Sequence, residues 1–383
     1  MLGAGREVAW NCAHIGAFLI RVLVSAGLGQ KLSNWLFIVR LIAGVYVLNI
    51  PVRGSGMVME DAILAEPEFF AYINGNLVSG ADASIPIYDR GIQWGDAIYD
   101  SLRTYDGVPF QVDFRLDRLM RSLYYARIHP GLTKEEFQRA TEDVLAANLP
   151  LLEPGQDLGL NYYVSRGSMK LENGLTPAGT VALFCRTLAQ EKIARLYVRG
   201  APGIIPSTRR TPPECLSPKA KISNKMNHFV AELEVKNQNK DAYAILLDLD
   251  GNITEGSSAN FLFISDGRIK VPDTRMVLGG ADMAKLLELA ANMGIIADEG
   301  RYTTYDLHNA DEAFLTTNSF GIMPIVSVNG LPIGSGKVGT LTRQLMEEWS
   351  RLVQMDFVGQ ALDQLPPDER DTLRAEWRNV RNT

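Results

Sequence analysis

Ser217-Pro218-Lys219-Ala220-Lys221-Ile222-Ser223-Asn224-Lys225 crowds three lysines together just ahead of a stretch with helical character, Asn224 to Asn237. Strand-like segments flank it, Gly200 to Pro206 before and Ala242 to Leu249 after. A lysine at such a strand-to-helix junction can point into a cleft. Its free pKa is about 10.4, so it becomes a useful nucleophile only when desolvated or set near positive charge. On spacing alone, all three read equally well as solvated surface lysines.

A second segment changes the balance: Asp250-Gly251-Asn252-Ile253-Thr254-Glu255-Gly256-Ser257-Ser258-Ala259-Asn260-Phe261. Glu255 stands among small residues at the entry to a strand, where a carboxylate can approach a ligand closely. A buried carboxylate under a pyridine nitrogen keeps that nitrogen protonated, and the protonated ring then accepts electrons from a carbanion. The other reading of Glu255 is a hairpin flank in water.

Outward from these segments the chain is regular from Phe69 onward. Phe70 to Val78 predicts two short strands around Asn74-Gly75, a strong hairpin signal. Ile98 to Tyr105 alternates and ends at Asp106-Gly107. Arg115 to Ile128 changes to helical spacing through Leu116, Leu119, Leu123 and Ala126. Thr133 to Asn148 predicts a second helix, with Thr133 and Glu136 in a capping box. Leu158 to Val164 and Thr180 to Cys185 read as strands. Residues 69–186 therefore form an expected small α+β domain, followed by a polar linker within 187–195. Strands at Gly200 to Pro206, Ala242 to Leu249, Asn260 to Ser265 and Arg268 to Pro272, with helices at Asn224 to Asn237 and Asp282 to Met293, define a larger domain over 196–355. The tail, 356–383, is charged and is expected to be a loose helix.

The chain has 383 residues, of which 46% are hydrophobic, enough for two domains with a substantial core. A net charge of -6 argues against a nucleic-acid binder, which would carry a basic face. Cys12, Cys185 and Cys215 lie far apart without a CxxC pair, and His14, His129, His228 and His308 are scattered. Neither a disulfide framework nor a zinc site is indicated, and the histidines read as ordinary surface or core residues. The profile suggests a cytoplasmic enzyme without a metal.

Residues 1–56 differ in character. Ile15 to Leu28 and Trp35 to Val52 are apolar, but Arg21 and Arg40 sit near their middles. A central arginine in a spanning helix costs about 2.5–3.5 kcal/mol on insertion scales. The preferred reading is an extension ahead of a native start at Met57 or Met59. A membrane-associating or signal-like leader is a second reading, with Val24-Ser25-Ala26 a weak cleavage match, and an accessory helix pair is a third. Membrane contact is expected only if this segment is genuine.

Seven segments, in order between Phe69 and Met355, resemble one enzyme family. Asp89-Arg90-Gly91-Ile92-Gln93-Trp94-Gly95-Asp96-Ala97-Ile98-Tyr99-Asp100 resembles the early motif of D-amino-acid and related class IV transaminases. Arg115-Leu116-Asp117-Arg118-Leu119-Met120-Arg121-Ser122 is similar to the family's phosphate-arginine helix, and Val164-Ser165-Arg166-Gly167 to the end of its middle strand. Arg209-Arg210-Thr211-Pro212-Pro213, leading to Lys221, is similar to the run before the lysine in (R)-selective amine transaminases. Thr254-Glu255-Gly256-Ser257 to Asn260, Thr316-Thr317-Asn318-Ser319-Phe320-Gly321-Ile322-Met323-Pro324 and Gly336-Lys337-Val338-Gly339 match later motifs.

The resemblance implies the two-domain α/β (α+β) architecture called fold type IV, with pyridoxal 5'-phosphate in the cleft between a small N-terminal and a larger C-terminal domain. It implies a homodimer and a ping-pong transfer of an amino group between an amino acid or amine and a 2-oxo acid. Lys221 falls on the Schiff-base lysine and Glu255 on the pyridine partner. Arg118 falls on the phosphate arginine, and Asn318 and Ser319 fall where relatives use Thr or Ser at the phosphate. Tyr99 falls on a pocket position, with Tyr162 and Tyr163 as further substrate candidates. Gly280-Ala281-Asp282-Met283 stands where relatives have Gly-Ile-Thr-Arg at a phosphate-holding helix start. A carboxylate would repel a phosphate, so Asp282 is expected to turn away and cap its own helix. Two alternatives share the fold: elimination of the aminodeoxychorismate lyase type, and a non-catalytic binding protein. Neither the branched-chain enzymes' middle-strand arginine, aligned near Gly159, nor the D-amino-acid enzymes' Arg-x-His element after Arg166 is present.

Overall fold

The computed structural model describes residues 37–41, 44–48, 68–168 and 179–379. Phe37–Leu41 (β1) and Gly44–Leu48 (β2) pair antiparallel, Phe37 opposite Leu48 and Leu41 opposite Gly44. A helix over these residues is therefore corrected to a hairpin, in keeping with the β-branched Ile38, Val39, Val45 and Val47. The rest of the leader reading lies outside the described residues.

The unit Ala65–Thr383 holds everything else. Its first sheet is wholly antiparallel and is built from Ala71–Ile73 (β3), Asn76–Val78 (β4), Ala97–Tyr105 (β5), Val108–Pro109 (β6), Leu158–Ser165 (β7) and Val181–Thr187 (β8). The strand order is β4-β3-β8-β7-β5-β6. Asn74 and Gly75 both take positive φ, 47° and 96°, the turn geometry that suits the twist of a tight hairpin. After the short helix Arg90–Trp94 (α1), helices Val112–Ala126 (α2) and Lys134–Asn148 (α3) pack on this sheet. Both halves of the Thr133–Glu136 capping box form. Leu116, Leu119, Leu123, Phe137 and Val144 bury their helical stripes against Leu102, Leu160 and Leu183. Each fully buried side chain of this kind contributes about 1.5–3 kcal/mol.

The second sheet contains Ala201–Ile204 (β9), Tyr243–Leu247 (β10), Ile253–Gly256 (β11), Asn260–Ser265 (β12), Arg268–Pro272 (β13), Ala297–Gly300 (β14), Glu312–Thr317 (β15), Gly321–Val328 (β16) and Leu331–Pro332 (β17). Its order is β11-β10-β9-β16-β15-β12-β13-β14, and β11 also pairs with β12. That extra pairing, Glu255 opposite Asn260, closes the strands from β11 round to β12 into a ring. The uninterrupted apolar run Phe261-Leu262-Phe263-Ile264 is buried on both faces. Around the ring lie Ala194–Arg199 (α4), Met226–Lys236 (α5), Ala281–Asn292 (α6), Thr304–His308 (α7) and Thr340–Leu352 (α8).

Within the expected linker, Gln190–Lys192 makes a 3-10 turn that runs into α4, with Gln190 and Ala194 buried. The tail differs from the loose helix expected. Phe357–Asp363 (α9) and Pro367–Asn379 (α10) are docked, with Phe357, Val358, Ala361, Leu362, Leu365 and Leu373 in the main core. Those residues make a helical stripe that the segment's high charge disguises. The charges themselves pair outward, Arg199 with Glu376 at 2.8 Å and Arg195 with Glu369.

Candidate active site

Lys221 is held by main chain from the first sheet. Tyr99 N–H donates to Lys221 O at 3.0 Å, Ser223 N–H to Ala97 O at 2.9 Å, and Ile98 and Ile222 form a β-bridge. Ser122 Oγ, on α2, accepts the Lys221 N–H at 3.1 Å. At the end of α1, Gly95 has φ 68°, and a Cβ there would press on Asn224 at 3.1 Å. The short 221–224 segment is thus held against β5, α1 and α2. Its Nζ stands 4.4 Å from the centre of the Tyr99 ring. Burial, and next the Arg118 guanidinium, lower the Lys221 pKa to about 8.

Glu255, on β11, is buried. Arg210 Nε donates to its Oε1 at 2.8 Å, Leu278 N–H donates to its Oε2 at 2.9 Å, and His228 Nε2 lies 3.8 Å away. Burial works against its charge. His228, Arg210 and the Leu278 N–H together outweigh burial and hold the carboxyl below its ordinary value.

Two arginines of α2 face the same cleft. Arg118 grips Asp100 with Nε at 2.8 Å and Nη2 at 2.7 Å, and its Nη1 donates to Gly279 O at 3.0 Å. Arg115 Nη2 meets both oxygens of Asp282 at 2.9 and 3.0 Å, and its Nη1 donates to Ser101 O at 2.8 Å. The expected cap is therefore corrected. Gly280 is the N-cap of α6, and Asp282 turns to the buried Arg115 because that guanidinium needs a counter-charge more than the helix needs a side-chain cap. A Cβ on Gly280 would fall 1.9 Å from Asn260 Oδ1, so only glycine lets this helix start come so close.

Lys221, Glu255, Arg118, Tyr99, Gly280, Asp282 and Asn318 all line one cleft, and Ala281 is buried beside them in the first turn of α6. A model of the class IV aminotransferase family matches residues 97–328. A Methanocaldococcus jannaschii protein provisionally named branched-chain-amino-acid aminotransferase is 31% identical over 73% of this chain and 94% of its own. The D-alanine aminotransferase of Bacillus licheniformis is 29% identical over 71% and 93%. The crystal structure of the Escherichia coli branched-chain amino acid aminotransferase superposes with a TM-score of 0.69 at 22% identity, covering 75% of this chain and 95% of that one. The chain belongs to the class IV aminotransferases. It has their two-domain α+β fold of type IV, uses pyridoxal 5'-phosphate, and transfers amino groups between amino acids and 2-oxo acids by a ping-pong mechanism.

Not every candidate of this aminotransferase reaches the cleft. Tyr162 is fully buried on the opposite side of β7, its ring against Phe137 and its hydroxyl 2.9 Å from Thr141 Oγ1. Strand alternation sends it into the small-domain core. Tyr163 faces the same way as Tyr99, its register partner, but its hydroxyl fills the space beside Gly91 and it does not line the cleft. Ser319 presents its carbonyl to Arg103 and Gln190 and stays off the lining, whereas Thr316 and Thr317 are on it. Asp100, Arg115 and Arg210 lie inside quoted motifs and Lys225 is one of the three clustered lysines, but the sequence alone assigns none of them a role in the site, and His228 reads there as an ordinary histidine. Lys225 and His228, three apart, share one helix face, which was the only signal for His228.

Proposed function

We propose that Lys221 is the residue that carries pyridoxal phosphate in this aminotransferase and that Glu255 holds the ring nitrogen. Arg118, the N–H groups at Gly280-Ala281-Asp282, and Asn318 are the proposed phosphate holders. The observation that carries this reading is the composition of the cleft. Thr316 Oγ1 is buried there and finds no hydrogen-bond partner among the described residues. Such an orphan implies an absent acceptor or donor. Arg118 commits three of its five N–H donors and keeps two for an anion. The start of α6 offers further donors, since Ala284 N–H is the first to bond back, to Gly280 O. The residues fit the cofactor.

When bound, the cofactor supplies a ring that accepts the electron pair released as the substrate's α C–H bond breaks. Lys221 Nζ would take that proton as base and, once protonated, would give it up as acid to complete the transfer. Its lowered pKa keeps a neutral amine available near pH 8. Glu255, kept anionic by His228, Arg210 and Leu278 N–H, would hold a proton on the ring nitrogen. The Tyr99 ring covers the Lys221 amine on one side.

A homodimer is part of the proposal. Met226, Phe229, Val230 and Leu233 leave one face of α5 exposed, at 70%, 58%, 41% and 62%, while Ala231 and Val235 bury the other. A helix with a stripe to the core and a second apolar stripe beside the active site suits a second copy of the chain. Among the described residues, no helix is long and apolar enough to cross a membrane.

Borohydride reduction of the holoenzyme followed by peptide mapping is expected to find the pyridoxyl label on Lys221. A label on Lys219 or Lys225 would overturn the assignment. Mixing holoenzyme with an amino acid alone should yield the 2-oxo acid in an amount equal to enzyme sites, and further turnover only when an acceptor is added. Continuous pyruvate release without acceptor would indicate elimination instead.

A further inference from the structure

Every arginine that lines the cleft is tied to a carboxylate: Arg115 to Asp282, Arg118 to Asp100, Arg210 to Glu255. Lys225 also lines it and differs. Its Nζ donates to the main-chain carbonyl of Ser257 at 2.6 Å, and no carboxylate among the described residues lies within ion-pair distance. A carbonyl satisfies one of the three donors of an ammonium and leaves its charge unmatched.

We infer that Lys225 receives the carboxylate that the amino-acid donor and the 2-oxo-acid acceptor have in common, and so selects substrates that carry one. The inference rests on the aminotransferase reading above. A ping-pong enzyme must seat both partners in one site, and both bear a carboxylate next to the reacting carbon. One cation can therefore serve both half-reactions. Lys225 follows Lys221 by four positions and stands at the N-cap of α5, so the clamped 221–224 segment that places one lysine also places the other. Exchange of a neutral carbonyl for a carboxylate makes the hydrogen bond charge-assisted and roughly twice as strong.

Other cations that could do this are engaged elsewhere. Arg166 spends its donors on Asp96, Ala126 O and Arg127 O, away from the cleft. The middle-strand position Gly159 has no side chain, and a Cβ there would meet Leu188 and Arg186. His228 lines the cleft, but burial, with Lys225 and Arg210 nearby, lowers its pKa and favours the neutral ring.

Calorimetric titration of the holoenzyme with 4-methylvalerate, and with 4-methylpentan-1-ol as the uncharged counterpart, reads this contact without turnover. The wild-type protein is expected to bind the acid about 10- to 100-fold more tightly than the alcohol, the value of one hydrogen bond to a charged group. Lys225→Met and Lys225→Gln should both lose that preference, and Lys225→Arg should keep most of it. In steady state, Lys225→Met should raise KM for donor and acceptor together. The inference is overturned if the wild type shows no preference, or if Lys225→Met and Lys225→Gln retain it. It also fails if KM rises only for dicarboxylic partners, or if Lys225→Met sheds pyridoxal phosphate on dialysis with the acid preference intact. Absence of amino transfer by a wild type that keeps a Lys225-dependent preference would overturn the functional reading and leave this inference standing.

Discussion

Helix α2 delivers Arg115 and Arg118 to the cleft already matched to Asp282 and Asp100, whereas the 217–225 segment delivers Lys221 and Lys225 with no carboxylate among the described residues within ion-pair distance. The arginines make long-range pairs that cross from α2 to a strand or to α6. The lysines rest on an aromatic face and on a main-chain carbonyl. A guanidinium has a rigid fork of donors and stays charged, so its burial demands a fixed partner. An ammonium on a flexible stem shifts its pKa instead, and can change partner as a ligand arrives. In this cleft the paired charges build the walls, and the unpaired ones are free to react or bind.

The largest test of that contrast removes a wall. Arg118→Ala leaves Asp100, which has no exposed surface, without its guanidinium. Breaking a buried pair from one side costs about 3–5 kcal/mol, because the remaining charge stays buried and uncompensated. Urea unfolding of the apoprotein should show a loss of that size. The double change Arg118→Met with Asp100→Leu should recover much of it. A loss below about 1 kcal/mol for Arg118→Ala, the range of exposed ion pairs, would mean that the pair is solvated and that the contrast fails.

A smaller effect concerns Lys221. An ordinary lysine would bind the cofactor through its neutral amine only near pH 10.5, but burial and Arg118 bring this one to about 8. The neutral form is scarce below that value and dominant above it. The rate at which apoenzyme takes up pyridoxal phosphate should therefore climb through a midpoint near pH 8 and level off above. A rate still climbing at pH 10 would show that Lys221 is solvated, as a surface lysine would be.

Much of this site could be read from the chain because its anchor residues sit in contiguous motifs. Lys221, Glu255, Arg118 and Tyr99 were each legible that way. Their partners were not. Arg210 reaches Glu255, and Arg115 reaches Asp282, only after β9, β10 and β11 have closed with β12 and the start of α6 has come within reach of α2. For that reason a capping aspartate was expected where an ion pair formed. The hairpins at Asn74-Gly75 and Asp106-Gly107 were visible because positive φ at such residues is a local property. Closure of the larger sheet depends on pairings far apart in sequence, which leave no local trace. The docked tail was missed because Glu369, Arg370 and Glu376 mask the spacing of Phe357, Ala361 and Leu365.

The smallest expected effect separates the two faces of the first sheet. Tyr99 lines the cleft, while Tyr162 belongs to the core behind it. Burial, first of all, pushes the Tyr162 phenol well above its ordinary pKa, so the group stays neutral at any working pH. Its hydroxyl meets only Thr141 Oγ1, and that oxygen already donates to Phe137 O at 2.7 Å. Tyr162→Phe therefore removes one hydrogen bond without stranding a donor on Thr141, and should cost about 1 kcal/mol in unfolding free energy. The ring keeps its packing against Phe137. With α2 and the Lys221 clamp undisturbed, kcat and KM should match those of the wild type. If KM for the amino donor rose while stability held, the phenol would be reaching the substrate through the sheet's other face. The alternation of β7 would then be out of register with the pairing of Tyr99 to Tyr163.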